Sequence, residues 1–143
     1  SSDWNAALLA LDAMIHTTTT NHMAEDYIAN GGLTEGELIT RICFEIPSQG
    51  IYLKHTRASS TDAVVGVFVS RFEKRCRVAI VGNQRVAFLC PALGAALSTR
   101  FHPAVYDHSH IPDNMLREKS DASLEYQLNL VESLFKRAID SCA

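Results

Sequence analysis

Two segments near the middle of the chain, Val64-Val65-Gly66-Val67-Phe68-Val69 and Val78-Ala79-Ile80-Val81, are apolar at both alternating sets of positions. Successive strand side chains point to opposite faces, so strands of this kind need cover on both. They are expected in the interior of a sheet, with helices on each side, or with helices on one side and a second chain on the other. Glu73-Lys74-Arg75 between them has the length and polarity of a hairpin connection, which makes the two strands antiparallel neighbours.

The same pattern extends in both directions. Ala63 to Phe72, Cys76 to Val81 and Arg85 to Cys90 read as strands, the last two joined through Gly82-Asn83-Gln84. Upstream, from Ile39, the period is two: Ile42, Phe44 and Ile46 take one side, while Arg41, Cys43 and Glu45 take the other. Pro47-Ser-Gln-Gly50 is a turn signal and Ile51 to Thr56 the returning strand, a hairpin with one wet face. The expectation is a five-strand antiparallel meander.

Helices bracket it. Trp4, Leu8, Leu11 and Ile15 recur at helical spacing behind a capping Asp3, and the β-branched run Thr17 to Thr20 discourages continuation. A second short helix is expected from about Asn21 to the Gly31-Gly32 stop, and Thr34 with Glu37 has capping-box spacing. Pro91 is placed to open a small-residue helix over Ala92 to Leu97. A terminal helix from Asp113, broken near Ser120, carries Leu124, Leu128, Val131, Phe135 and Ala138 as its stripe. The fold class is α+β in the order α-α-β-β-β-β-β-α-α. With 143 residues, 47% of them apolar, one domain over 1–143 is expected. The order is similar to that of small intracellular chaperones and adaptor domains, a likeness of architecture alone.

Several function classes lose ground on composition. No apolar run approaches the roughly 20 residues of a membrane span, so membrane insertion is not expected. The start lacks a secretory pattern, which points to an intracellular protein, in the cytoplasm or an organelle matrix. Cys43, Cys76, Cys90 and Cys142 form no C-x-x-C pair and read as free thiols. The net charge of −3 is segregated: seven acids to one base over 1–47, three to eight over 48–112, and six to four over 113–143.

Three constellations could carry chemistry. His102, Asp107, His108 and His110 lie within nine residues and supply the donors that transition metals prefer, although proline-flanked loops commonly hold solvated histidines. Cys76 sits between Arg75 and Arg77, where nearby cations would favour a thiolate; with His108 and Asp107 it forms the catalytic candidate set. Cys43 could also face outward. Arg71, Lys74, Arg75, Arg77 and Arg85 crowd the two hairpins beside Phe72 and form the candidate partner-binding group. An acidic chain without an aromatic nucleic-acid motif makes nucleic acid an unexpected partner.

The function these features favour is a non-catalytic protein-interaction domain, an adaptor, assembly factor or chaperone-like subunit, with no cofactor. Its partner is another protein or a second copy in a homodimer, contacted through apolar sheet or helix surface. The second reading is a small metal-dependent or Cys/His hydrolase built on the His102–His110 segment.

Overall fold

A computed structural model describes residues 2–58, 63–82, 87–112, 115–116 and 123–142. The fold is α+β with antiparallel sheets, as expected. Its helices are α1 (Ser2–Ala10), α2 (Ala24–Ala29), α3 (Pro91–Thr99) and α4 (Leu124–Ser141). Its strands are β1 (Met14–Thr17), β2 (Asn21–Met23), β3 (Ile39–Cys43), β4 (Gln49–Thr56), β5 (Ala63–Arg71), β6 (Cys76–Gly82) and β7 (Phe88–Leu89). Among the described residues, no helix is long and apolar enough to cross a membrane.

The strands form two sheets rather than one five-strand meander. The larger has the order β4-β5-β6-β7; the smaller, β2-β1-β3, lies wholly in the N-terminal third of the chain. The expected hairpin across Pro47 does not form. β3 pairs with β1, Ile15 opposite Ile42, whereas β4 pairs with β5, Ile51 opposite Val69. The alternation from Ile39 to Ile46 identified a strand but could not name its neighbour. That neighbour was concealed in a segment read as helix.

The first helix is correspondingly shorter than its stripe implied. Ala6, Leu8, Leu9 and Ala10 are its buried set, Trp4 is 57% exposed, and Ile15 belongs to β1. The reversal after α1 is a Schellman turn: Ala13 N–H donates to Leu8 O at 3.0 Å and Asp12 N–H to Leu9 O at 3.2 Å. Asp12 takes the left-handed conformation this requires, at φ 51. The threonines that discourage a helix instead close the β1–β2 hairpin, where Thr17 N–H donates to Thr20 O at 2.8 Å. α2 ends as expected at Gly31 and Gly32, with φ 80 and 100.

The central strands are covered on both faces by the chain itself. Val65, Val67, Val69, Val78 and Ile80 meet α3 and α4, which contribute Leu93, Leu97, Val131, Leu134 and Phe135. On the opposite face Ala79 and Val81 meet Ala6, Leu9 and Ala10 of α1 together with Ile15 and Ile28. Helices therefore supply the cover that a second chain would otherwise have had to supply. Gly94 permits the close fit of α3, since a Cβ there would stand 2.9 Å from Cys76 O. α4 begins at an N-cap, Ser123 Oγ accepting from Tyr126 N–H at 3.1 Å. The expected break near Ser120 and the start at Asp113 lie outside the described residues.

Candidate functional site

A buried polar network lies beside the small sheet. Glu37, 5% exposed, stands in the chain leading into β3. Its Oε1 accepts from Thr17 Oγ1 at 2.5 Å, Thr19 Oγ1 at 3.1 Å and His22 Nε2 at 2.7 Å; its Oε2 accepts from Thr34 N–H and Oγ1, both at 3.0 Å. The hydrogen bond from Thr17, then those from His22 and the Thr34 amide, hold the carboxyl well below the usual carboxylate range. The Thr34–Glu37 half of this network is the capping-box contact the spacing predicted, closing a turn instead of opening a helix. The contribution of Thr17, Thr19 and His22 was not legible, because it depends on the β1–β2 hairpin.

This network fixes the base of an exposed apolar run. Leu38 is 66% exposed, Ile39 40%, Phe44 50% and Ile46 83%, while Ile42 between them packs against the N-terminal core. Beyond Cys43 the chain runs to Pro47 without a strand partner. Of the apolar set expected inside a hairpin, Ile42 lies in β3 while Phe44 and Ile46 fall beyond its end and stay exposed.

The basic hairpin is largely tied into the domain. Arg77 Nε donates to Leu9 O at 3.0 Å, and its Nη2 lies 3.4 Å from both Asp12 and Glu25. Arg75 pairs with Asp12 at 3.0 Å and covers the ring of Phe72, which is buried and presents no free face for a base. Arg71 stacks 4.2 Å from the centre of the Phe101 ring and approaches Gln49 Oε1 at 3.4 Å. Lys74 is exposed at the tip. Arg85 lies outside the described residues.

Cys76 faces inward, on the opposite side of β6 from Arg77. Burial raises its thiol above the ordinary value despite the opposing effect of Arg71. The thiolate expected from two flanking arginines fails for a geometric reason: neighbours on a strand point away from the residue between them.

The histidine-rich segment forms two single-turn helices, Pro103–Val105 and His108–His110, with its donors spent separately. His102 Nδ1 accepts from Ala104 N–H at 3.0 Å, and Asp107 accepts from Ser109 N–H at 2.8 Å, which lowers its pKa. His108 Nε2 reaches Glu132 Oε2 on α4 at 3.0 Å, where Lys136 and then His108 hold the Glu132 carboxyl down. His110 keeps its Nδ1 buried without a hydrogen bond. Among the described residues, no three His, Cys, Asp or Glu side chains are grouped to hold a metal ion. A separate pocket of about 350 Å³ is lined by Leu9, Glu25, Ile28, Phe88, Pro91 and Met115; among the described residues that line it, none pairs a nucleophile with a base.

Neither a protein-family model nor a curated protein sequence matches this chain. Its fold does match solved structures. A chain of quinoline 2-oxidoreductase from Pseudomonas putida 86 aligns with 96% of this chain at TM-score 0.69 and 19% identity. A chain of the Cu,Mo-CO dehydrogenase, in its cyanide-inactivated form, aligns with 96% at TM-score 0.67 and 16% identity. The present chain spans about half the length of each, 54% and 55% respectively. At these identities the likeness is one of fold.

Proposed function

We propose that this chain is a non-catalytic interaction module of a larger oxidoreductase assembly, docking on another polypeptide through the run from Leu38 to Ile46. The observation that carries this reading is the concentration of four large, exposed apolar side chains within nine residues, on a sheet edge fixed from beneath by the Glu37 network. Isolated surface leucines are ordinary; large apolar side chains gathered in one exposed segment suit a contact site. The fold shared with chains of two oxidoreductases, each about twice as long, supports the setting. In this reading Lys74, exposed at the tip of its hairpin, is left to influence encounter and orientation through its charge. Arg71, Arg75 and Arg77 act mainly within the domain. An enzyme built on the His102–His110 segment would need those groups to converge, and their separate engagements give that reading less support.

The test is native mass spectrometry of the gently purified full chain beside a Phe44→Ser/Ile46→Ser variant. From their exposure, these two side chains supply about 2–3 kcal/mol of apolar burial to a partner, a weakening of roughly 30- to 150-fold when removed. The expected result is a stoichiometric polypeptide complex in the wild type that is lost in a variant with unchanged circular dichroism. A partner retained equally by both proteins, or a wild type that is strictly monomeric, overturns the proposal.

A further inference from the structure

We infer that the polypeptide meeting this edge is a second copy of the chain, paired antiparallel through β3 about a two-fold axis at Cys43. The inference rests on the docking reading above and names its partner. β3 is the last strand of its sheet, and among the described residues its backbone makes hydrogen bonds only toward β1. An open edge of this kind is a template for another strand.

The sequence along the edge is complementary to itself. In Arg41-Ile42-Cys43-Phe44-Glu45, placing Cys43 opposite its own copy sets Arg41 against Glu45 twice and Ile42 against Phe44 twice, with Thr40 against Ile46 at the margins. Side chains of directly opposed residues lie on one face, where opposite charges and apolar pairs both stabilise the ladder. Phe44, Glu45 and Ile46 lie beyond the end of β3 and extend its ladder on pairing, so that Arg41, Cys43 and Glu45 share one face. Ile42, Phe44 and Ile46 share the other, continuing the side on which Ile42 already packs against the N-terminal core.

Other registers lose one of these features. A slip of one residue turns the apolar set of one copy to the charged side of the other. Moving the axis by one residue to Ile42 sets Arg41 against Cys43, and moving it to Phe44 sets Arg41 against Pro47. Only the axis at Cys43 opposes both charges while keeping the apolar faces together. Pro47 has no N–H to donate and ends the pairing. The ladder is short beside the roughly 1,200–2,000 Å² of a standard interface, so association is to be read at rising protein concentration.

Sedimentation velocity of the full chain tests the pairing, using wild type, Arg41→Glu, Glu45→Arg and an equimolar mixture of the two variants. The wild type is expected to form a concentration-dependent dimer. Each reversal alone opposes like charges twice and should weaken the dimer by about tenfold or more. The mixture opposes unlike charges at both positions and should recover wild-type association. Cys43, an exposed free thiol, reports the axis. With oxidised glutathione, the two Cys43 thiols give up two protons and two electrons to form one disulfide, releasing two reduced glutathione molecules. Peptide mapping should then find Cys43 joined to Cys43.

Association unaffected by either reversal, or not recovered in the mixture, overturns the register. A monomer that still holds a different polypeptide through Phe44 and Ile46 overturns the self-pairing and leaves the docking reading standing. A monomer without any such partner overturns both.

Discussion

Replacing Gly94 with alanine sets two effects of opposite sign against each other. In an exposed helix the change is favourable by about 1 kcal/mol, because alanine has less backbone freedom to lose. Gly94, however, is buried against β6, and its Cβ would lie 2.9 Å from Cys76 O and 3.6 Å from Arg77 Cα. Both obstacles are backbone atoms of a strand paired to β5, and Cys76 N–H is further tied to Ser98 Oγ of the same helix at 2.8 Å. Neither can rotate away, so α3 must move outward by several tenths of an ångström. Overpacking of this kind costs about 1–3 kcal/mol. With a rigid obstacle the upper half of that range applies, and the net effect is destabilisation by about 1–2 kcal/mol after the helix gain. For a domain of this size the melting temperature should fall by about 3–6 °C. Differential scanning calorimetry of Gly94→Ala measures it, with Ala95→Gly on the exposed side of α3 as an internal calibration of propensity. A melting temperature equal to or above wild type would show that α3 is not held at this distance, and the argument from the close approach would fail.

Two further outcomes follow from the buried groups. The Glu37 carboxyl titrates below its ordinary value of 4.5, so its contribution to stability is complete above that pH and declines as the pH falls toward the lower folded value. Acid denaturation of Glu37→Gln should therefore be shallower below about pH 4.5, where wild type loses the network; parallel acid profiles for the two proteins would refute the role assigned to the carboxylate. Thiol labelling of the native protein should modify Cys43 first, with Cys76 and Cys90 reacting only on unfolding, because burial raises the Cys76 thiol and pushes Cys90 up to about 12. Rapid native labelling of Cys76 would instead restore the activated thiol its flanking arginines suggested.

The large sheet and the helices packed on its C-terminal side were legible because their signals are local: two-sided apolar strands, the connection through Glu73-Lys74-Arg75, Pro91 at a helix start, and the spacing of Val131, Phe135 and Ala138. The small sheet was not. Its strands are four, three and five residues long, and β3 finds its partner 22 to 29 residues upstream, a pairing that no periodicity encodes. Trp4, Leu8, Leu11 and Ile15 have helical spacing by coincidence, since a turn at Asp12 separates the last from the rest. Among candidate groups, charge density in sequence was a poor guide to charge free for function. Arg75 and Arg77 meet Asp12 and Glu25, which lie in the acidic segment 1–47.

Arg77 also bears on how the chain acquires its fold. Its guanidinium bonds the carbonyl of Leu9 across 68 residues of sequence, and α1 finds its apolar cover on the face of β6 that Ala79 and Val81 provide. During synthesis the amino-terminal helix therefore emerges well before the surface that buries it exists. Contacts of such long range form late, after the β5–β6 hairpin has made its local pairs. A nascent chain stalled before Arg77 would carry α1 with its buried set still in water, as a binding site for holdase chaperones; release of the following strand would close that site.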